Sequence, residues 1–114
     1  MLTRTLRIRD REIRTDSEGY LLDLDDWSED FARAQAIVEG LLLTPAHWKV
    51  IHFLREYYEI HGVQAQVRVM LRHFEHCWGQ ELGSNHALHE LFPNGGPQKQ
   101  GNRLAGLLRT KGEH

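Results

Sequence analysis

The chain has 114 residues, a formal net charge of −2, 40% hydrophobic residues and one cysteine, which suits a single domain with its own core. Apolar runs such as Gly40-Leu41-Leu42-Leu43 are too short for a membrane-spanning helix, and the N-terminus lacks the apolar stretch of a secretory signal. A lone thiol, Cys77, excludes an internal disulfide and suits a reducing cytoplasm, where the protein is expected.

Charge is unevenly placed. Residues 1–14 carry five arginines against Asp10 and Glu12, and residues 98–114 carry Lys99, Arg103, Arg109 and Lys111 against Glu113. Each end therefore has a balance of +3, around a middle of −8. Basic ends on an acidic body point to ends that fold back on that body or meet an acidic partner.

The predicted class is mostly α: a small N-terminal β-hairpin, then a helical bundle with a helix-turn-helix-like pair and a C-terminal arm. Leu6 and Ile8 alternate with Arg7 and Arg9, and the chain turns near Asp10 before Glu12-Ile13-Arg14, which reads as a short hairpin. A turn follows at Asp16-Ser17-Glu18-Gly19. The first helix is predicted over Ser28–Glu39, capped by Ser28 or Asp26 and stopped by Gly40; its acidic start needs no metal or basic partner. The second begins at Thr44-Pro45 and ends at His61-Gly62, with Trp48, Ile51, Leu54 and Tyr58 on its apolar face. The third, over about Gln64–Trp78, carries the stripe Val67, Met70, Leu71, Phe74 and Trp78, and Gly79 and Gly83 break it. A short helical segment over Asn85–Phe92 precedes a last helix over about Gln98–Leu107. Residues 1–108 are expected to form the domain and 109–114 a mobile tip.

Few constellations carry chemistry. Cys77 lies about 80° from Val67 around the third helix, so it is expected half-buried at the margin of the apolar stripe. His73, one turn earlier, and Arg72 would favour its thiolate. A metal site is not expected. His73 and Cys77 share a flank, but His76 points about 100° away, and two glycines separate this group from His86 and His89. Gln64, Arg68 and Arg72 are expected to line one polar stripe of the third helix and form a surface for DNA or a protein partner. The acidic middle opposes nonspecific DNA affinity.

The sequence Leu91-Phe92-Pro93-Asn94-Gly95-Gly96-Pro97-Gln98-Lys99-Gln100-Gly101-Asn102-Arg103-Leu104-Ala105-Gly106-Leu107 resembles the C-terminal arm of the DsrC/TusE family of sulfur-relay proteins. Upstream, Glu18-Gly19-Tyr20-Leu21, Trp27-Ser28-Glu29, Leu43-Thr44-Pro45-Ala46-His47-Trp48, Phe53-Leu54-Arg55-Glu56-Tyr57-Tyr58 and Val67-Arg68-Val69-Met70-Leu71 match further family motifs in order. In that family the arm tip carries sulfur as a cysteine persulfide. Here Glu113 stands at the family's penultimate cysteine and Asn102 where DsrC-type members keep a second one. Leu108 and Thr110 replace family prolines.

Neither a carboxylate nor an amide replaces an attacking thiolate. The resemblance and these substitutions together imply a non-enzymatic docking or regulatory homologue in sulfur metabolism, with no cofactor. Lys99, Arg103, Leu104, Ala105, Gly106, Leu107 and Arg109 would contact a sulfur-relay complex. Two other readings stand beside it: a sulfur carrier working through Cys77 or a partner, and a DNA-binding regulator using the helix-turn-helix-like pair.

Overall fold

The computed structural model describes residues 2–108, so the tip expected over 109–114, with Arg109 and Glu113, lies outside the described residues. It opens with an antiparallel hairpin, β1 (Thr3–Ile8) and β2 (Arg11–Asp16), in which Leu6 faces Ile13. The two-residue turn holds Arg9 at φ 54°. Arg9 reaches Asp30 at 2.9 Å and Arg11 reaches Asp26 at 3.0 Å. The basic N-terminal end thus folds back on the acidic body. Ile13, Leu21 and Phe31 form a small cluster beneath the ribbon, with Leu6, Ile8 and Trp27 packed against it.

Among the described residues a short 3-10 turn, Leu24–Asp26, and five α-helices follow. In α1 (Glu29–Val38), the Ser28 hydroxyl accepts from the Phe31 N–H at 3.0 Å, as its N-cap position predicts. In α2 (Pro45–His61), Thr44 is the N-cap, proline opens the first turn and Gly62 closes the helix at φ 73°. His47 occupies the place of a capping-box glutamate: its Nδ1 accepts from the Thr44 N–H at 3.0 Å. Its Nε2 lies 2.6 Å from the Leu91 carbonyl oxygen. Acceptance at Nδ1 and donation from Nε2 together define a neutral ring.

The third helix, α3 (Val67–Leu82), starts later than the sequence predicts. Gly79, at φ 87° and ψ 169°, breaks its helical backbone after Trp78 as expected, and one further turn runs on to Leu82 before Gly83. Gln64 consequently lies in the link before α3 and not on its polar stripe. Then come α4 (Asn85–Leu91), capped by Ser84, and α5 (Gly96–Leu104). The predicted end of α5 at Leu107 is corrected to Leu104. Gly106, at φ 72°, turns the chain, while the Gly106 N–H bonds the Arg103 carbonyl and the Leu107 N–H the Asn102 carbonyl. This is the glycine-terminated pair of hydrogen bonds that closes many helices.

One core joins α2, α3, α4 and α5: Val50, Ile51, Leu54, Met70, Phe74, Leu88, Phe92, Leu104, Ala105 and Leu107 are all buried. No helix among the described residues is long and apolar enough to cross a membrane.

Candidate functional site

The arm does not stand away from the body. Every residue from Gln100 to Leu107 is buried, with Leu104 and Ala105 fully so. In this conformation the residues of the expected docking face are folded against the body. Arg103, Leu104, Ala105, Gly106 and Leu107 are interior residues in this conformation, and Lys99 is partly buried. The cause is the composition of α5. Gly101 leaves only enough room for Leu54, whose Cδ1 would lie 2.8 Å from an added Cβ, so α5 sits close on α2. At Gly106 a Cβ would lie 2.3 Å from Trp27 Cδ1.

Polar side chains of the body then hold the backbone of the seated arm. Trp27 donates its indole N–H to the Leu104 carbonyl at 2.9 Å, and Arg55 donates to the Ala105 carbonyl at 2.7 Å. Gln64 of the body likewise donates to the Leu108 carbonyl at 3.0 Å, while in the opposite sense Gln98 of the arm donates to the Ala65 carbonyl of the body at 3.1 Å. Burial pushes the Arg55 pKa down, partly offset by the charge of Glu59, and its guanidinium stacks over Trp27.

At the other side of α5 sits a buried carboxylate. Glu39, at the C-cap of α1, receives Arg103 Nε at 2.9 Å and Nη2 on its second oxygen, with Gln100 Nε2 at 2.9 Å, Gln35 Nε2 at 2.8 Å and Asn94 Nδ2 at 3.3 Å. The two charged side chains are 4% and 5% exposed, so the pair is desolvated and held by its own hydrogen bonds. Burial opposes the charge on Arg103, but the hydrogen bond and charge of Glu39, with Tyr20 beside it, hold its pKa above the ordinary value.

Glu39 was not singled out by sequence, and Trp27 and Arg55 stood there only within family motifs, with no role assigned. One signal existed for Glu39: a carboxylate at a helix C-terminus opposes the helix dipole, so it calls for a specific cation.

Asn102 sits on α5, one turn beyond Gln98. It is fully buried, and neither its Oδ1 nor its Nδ2 has a hydrogen-bond partner among the described residues.

The other predicted residues lie elsewhere. Cys77 is exposed, which corrects the half-buried expectation, because the α3 stripe turns Met70 and Phe74 inward and leaves its flank to solvent. Its Sγ lies 3.6 Å from His73 Nε2. Both line an open groove of about 640 Å³ walled by Trp48, Phe53, Tyr57 and Trp78. Arg68 and Arg72 are exposed around a shallow depression at the Gly79 kink. Gln64, committed to Leu108, is not part of that surface. Among the described residues no three His, Cys, Asp or Glu side chains are grouped to hold a metal ion.

Known proteins resemble the chain in sequence and in fold. A family described as DsrC like protein matches residues 7–112. The chain is similar to the sulfurtransferase TusE homolog of Haemophilus influenzae, 41% identical over 102 residues that cover 90% of this chain and 93% of that one. It is also similar to sulfurtransferase TusE of Sodalis glossinidius, 44% identical over 84% of this chain and 88% of the other. Among solved structures, Allochromatium vinosum DsrC superposes with a TM-score of 0.86 at 39% identity, covering 97% and 98% of the two chains. The oxidized gamma-subunit of the dissimilatory sulfite reductase (DsrC) from Archaeoglobus fulgidus gives 0.85 at 31% identity, covering 96% and 98%. From its arm motif through its fold, the chain belongs to the DsrC-like family of sulfur-relay proteins.

Proposed function

We propose that this chain is a docking or regulatory member of its family, engaging a sulfur-relay complex in the cytoplasm without itself carrying sulfur on its arm and without catalysing a reaction. One observation carries the reading. The seat that holds the arm is complete, from Glu39–Arg103 to Trp27–Leu104, while residues 93–114 contain no thiol. Sulfur transfer through a protein side chain needs a thiolate that attacks or presents the sulfane sulfur. Asn102 and Glu113 supply none. The named relatives are sulfurtransferases of the TusE type, so a chain of this shape fits the same partner and occupies it unproductively.

The test is competition. Excess of this chain, added to a reconstituted transfer reaction run by a TusE relative, should slow transfer, and mass spectrometry should find no added sulfur on residues 93–114. Transfer at an unchanged rate would reject the reading.

The contact between Cys77 Sγ and His73 Nε2 favours a second reading, in which sulfur is carried on α3. Added sulfur at high occupancy on Cys77, lost in Cys77→Ser, would establish it in place of the first.

A further inference from the structure

The two long faces of α5 are held very differently. On one, Glu39 gathers donors from Arg103, Gln100, Gln35 and Asn94. On the other, α5 lies along the link that joins α2 to α3. That seam is bonded at its ends, Gln98 to Ala65 and Gln64 to Leu108. Between them Asn102, fully buried, leaves a donor and an acceptor unmatched.

A buried amide without partners loses its hydration and gains nothing in return, so it raises the free energy of the closed state. Once the segment lifts, water satisfies both groups and the penalty disappears. The seam bonds from Gln98 and Gln64 favour closure, and the unmatched Asn102 amide between them opposes it.

We propose that the C-terminal half of α5 is a poised latch, in which the unmatched Asn102 amide sets how readily Leu104–Leu107 lift from the α2–α3 link while Glu39 keeps the other face clamped. The latch works at equilibrium: closed and open forms interconvert with no covalent change. Lifting turns Leu104, Ala105 and Leu107 outward, which makes an apolar contact surface from residues that are interior when the latch is shut. The latch is a property of the free chain and stands whether or not the docking reading does.

Hydrogen exchange on the full chain without partner tests it. The Trp27 indole N–H, bonded to Leu104, and the backbone N–H of Leu107, bonded to Asn102, report the lift directly. The backbone N–H of Leu54, in the middle of α2, serves as the reference. In the wild type both probes should exchange at least about tenfold faster than Leu54, through local opening with little denaturant dependence. Asn102→Ala, and Asn102→Cys under reductant with a side chain of nearly the same volume, remove the unmatched groups. They should slow both probes by roughly 5- to 100-fold, the range set by one orphaned polar group. Gln98→Ala, which cuts the bond to Ala65, should speed them. Probes that exchange no faster than Leu54 in the wild type, or that neither Asn102 variant slows, overturn the latch.

Discussion

Arg55 lies over the indole of Trp27, its guanidinium carbon 3.9 Å from the ring centroid. Both residues reach past that contact to consecutive carbonyls of the arm, Trp27 to Leu104 and Arg55 to Ala105. The stack therefore aims two donors at the turn where α5 ends. Trp27→Phe keeps the ring under Arg55 and deletes one donor, leaving a buried carbonyl short of its partner. A loss of about 1–3 kcal/mol is expected in urea unfolding. A change within experimental error would show that the stack, and not the hydrogen bond, holds the turn.

Glu39→Ala should be more severe, at about 3–5 kcal/mol, because it strands Arg103 as a buried cation. Fluorescence-monitored unfolding gives the number directly. A loss below about 1 kcal/mol, the usual size for surface pairs, would mean that water reaches Arg103 freely.

Gly106 takes φ 72°, and a Cβ there would meet Trp27 Cδ1 at 2.3 Å. Gly106→Ala combines backbone strain of about 1–2 kcal/mol with displacement of the indole. The Tm should fall measurably, and the indole N–H of Trp27 should lose its exchange protection. An unshifted Trp27 resonance in the variant would contradict this packing.

His47 makes stability depend on pH. Burial lowers its pKa, partly offset by the bond to the Leu91 carbonyl, so the folded state prefers the neutral ring. The stability contributed is complete above the unfolded value of about 6.5. It declines as pH falls toward the folded value, since only the unfolded chain gains the proton readily in that window. The difference in unfolding free energy between the wild type and His47→Gln should accordingly shrink from pH 7.5 to pH 5. Parallel curves would assign the pH response to other histidines.

Phe74 and Trp48 separate two kinds of aromatic residue. Phe74 is 2% exposed, so Phe74→Ala should cost about 3–5 kcal/mol. Trp48 is only half-buried, stacked beside His52 with Arg33 over its ring, so Trp48→Ala should cost less than Phe74→Ala. The reverse order in denaturant titrations would place the core on the wrong side of α2.

Much of this was readable from residue order. Ser28, Thr44-Pro45 and Gly62 marked helix ends because capping is local chemistry, and the Met70–Phe74 stripe marked the inner face of α3. The arm was recognisable as a motif, yet its burial was not. Gln100, Asn102 and Arg103 are polar residues that look solvent-facing until Glu39, 64 residues before Arg103, is brought beside them. Long-range pairs of that kind leave no periodic trace. Cys77 was misjudged by angle alone, because a helix margin faces solvent or core according to what packs beside it. Gln64 fell outside α3 because its stripe position presumed an earlier helix start.

The eight consecutive buried residues from Gln100 to Leu107 have a consequence for sequence tolerance. In α2, exposed positions such as Lys49, His52 and Glu56 interrupt the buried ones, so a saturation-mutagenesis profile across it should resemble a comb with open teeth every three or four positions. Across 100–107 there are no such teeth. Glu39 closes over Gln100 and Arg103, Leu54 over Gly101 and Trp27 over Gly106, and variation at a buried position has no outward direction in which to be absorbed. The segment should therefore appear as an unbroken band of constraint, with Asn102 as the one position where a smaller apolar residue improves the fold.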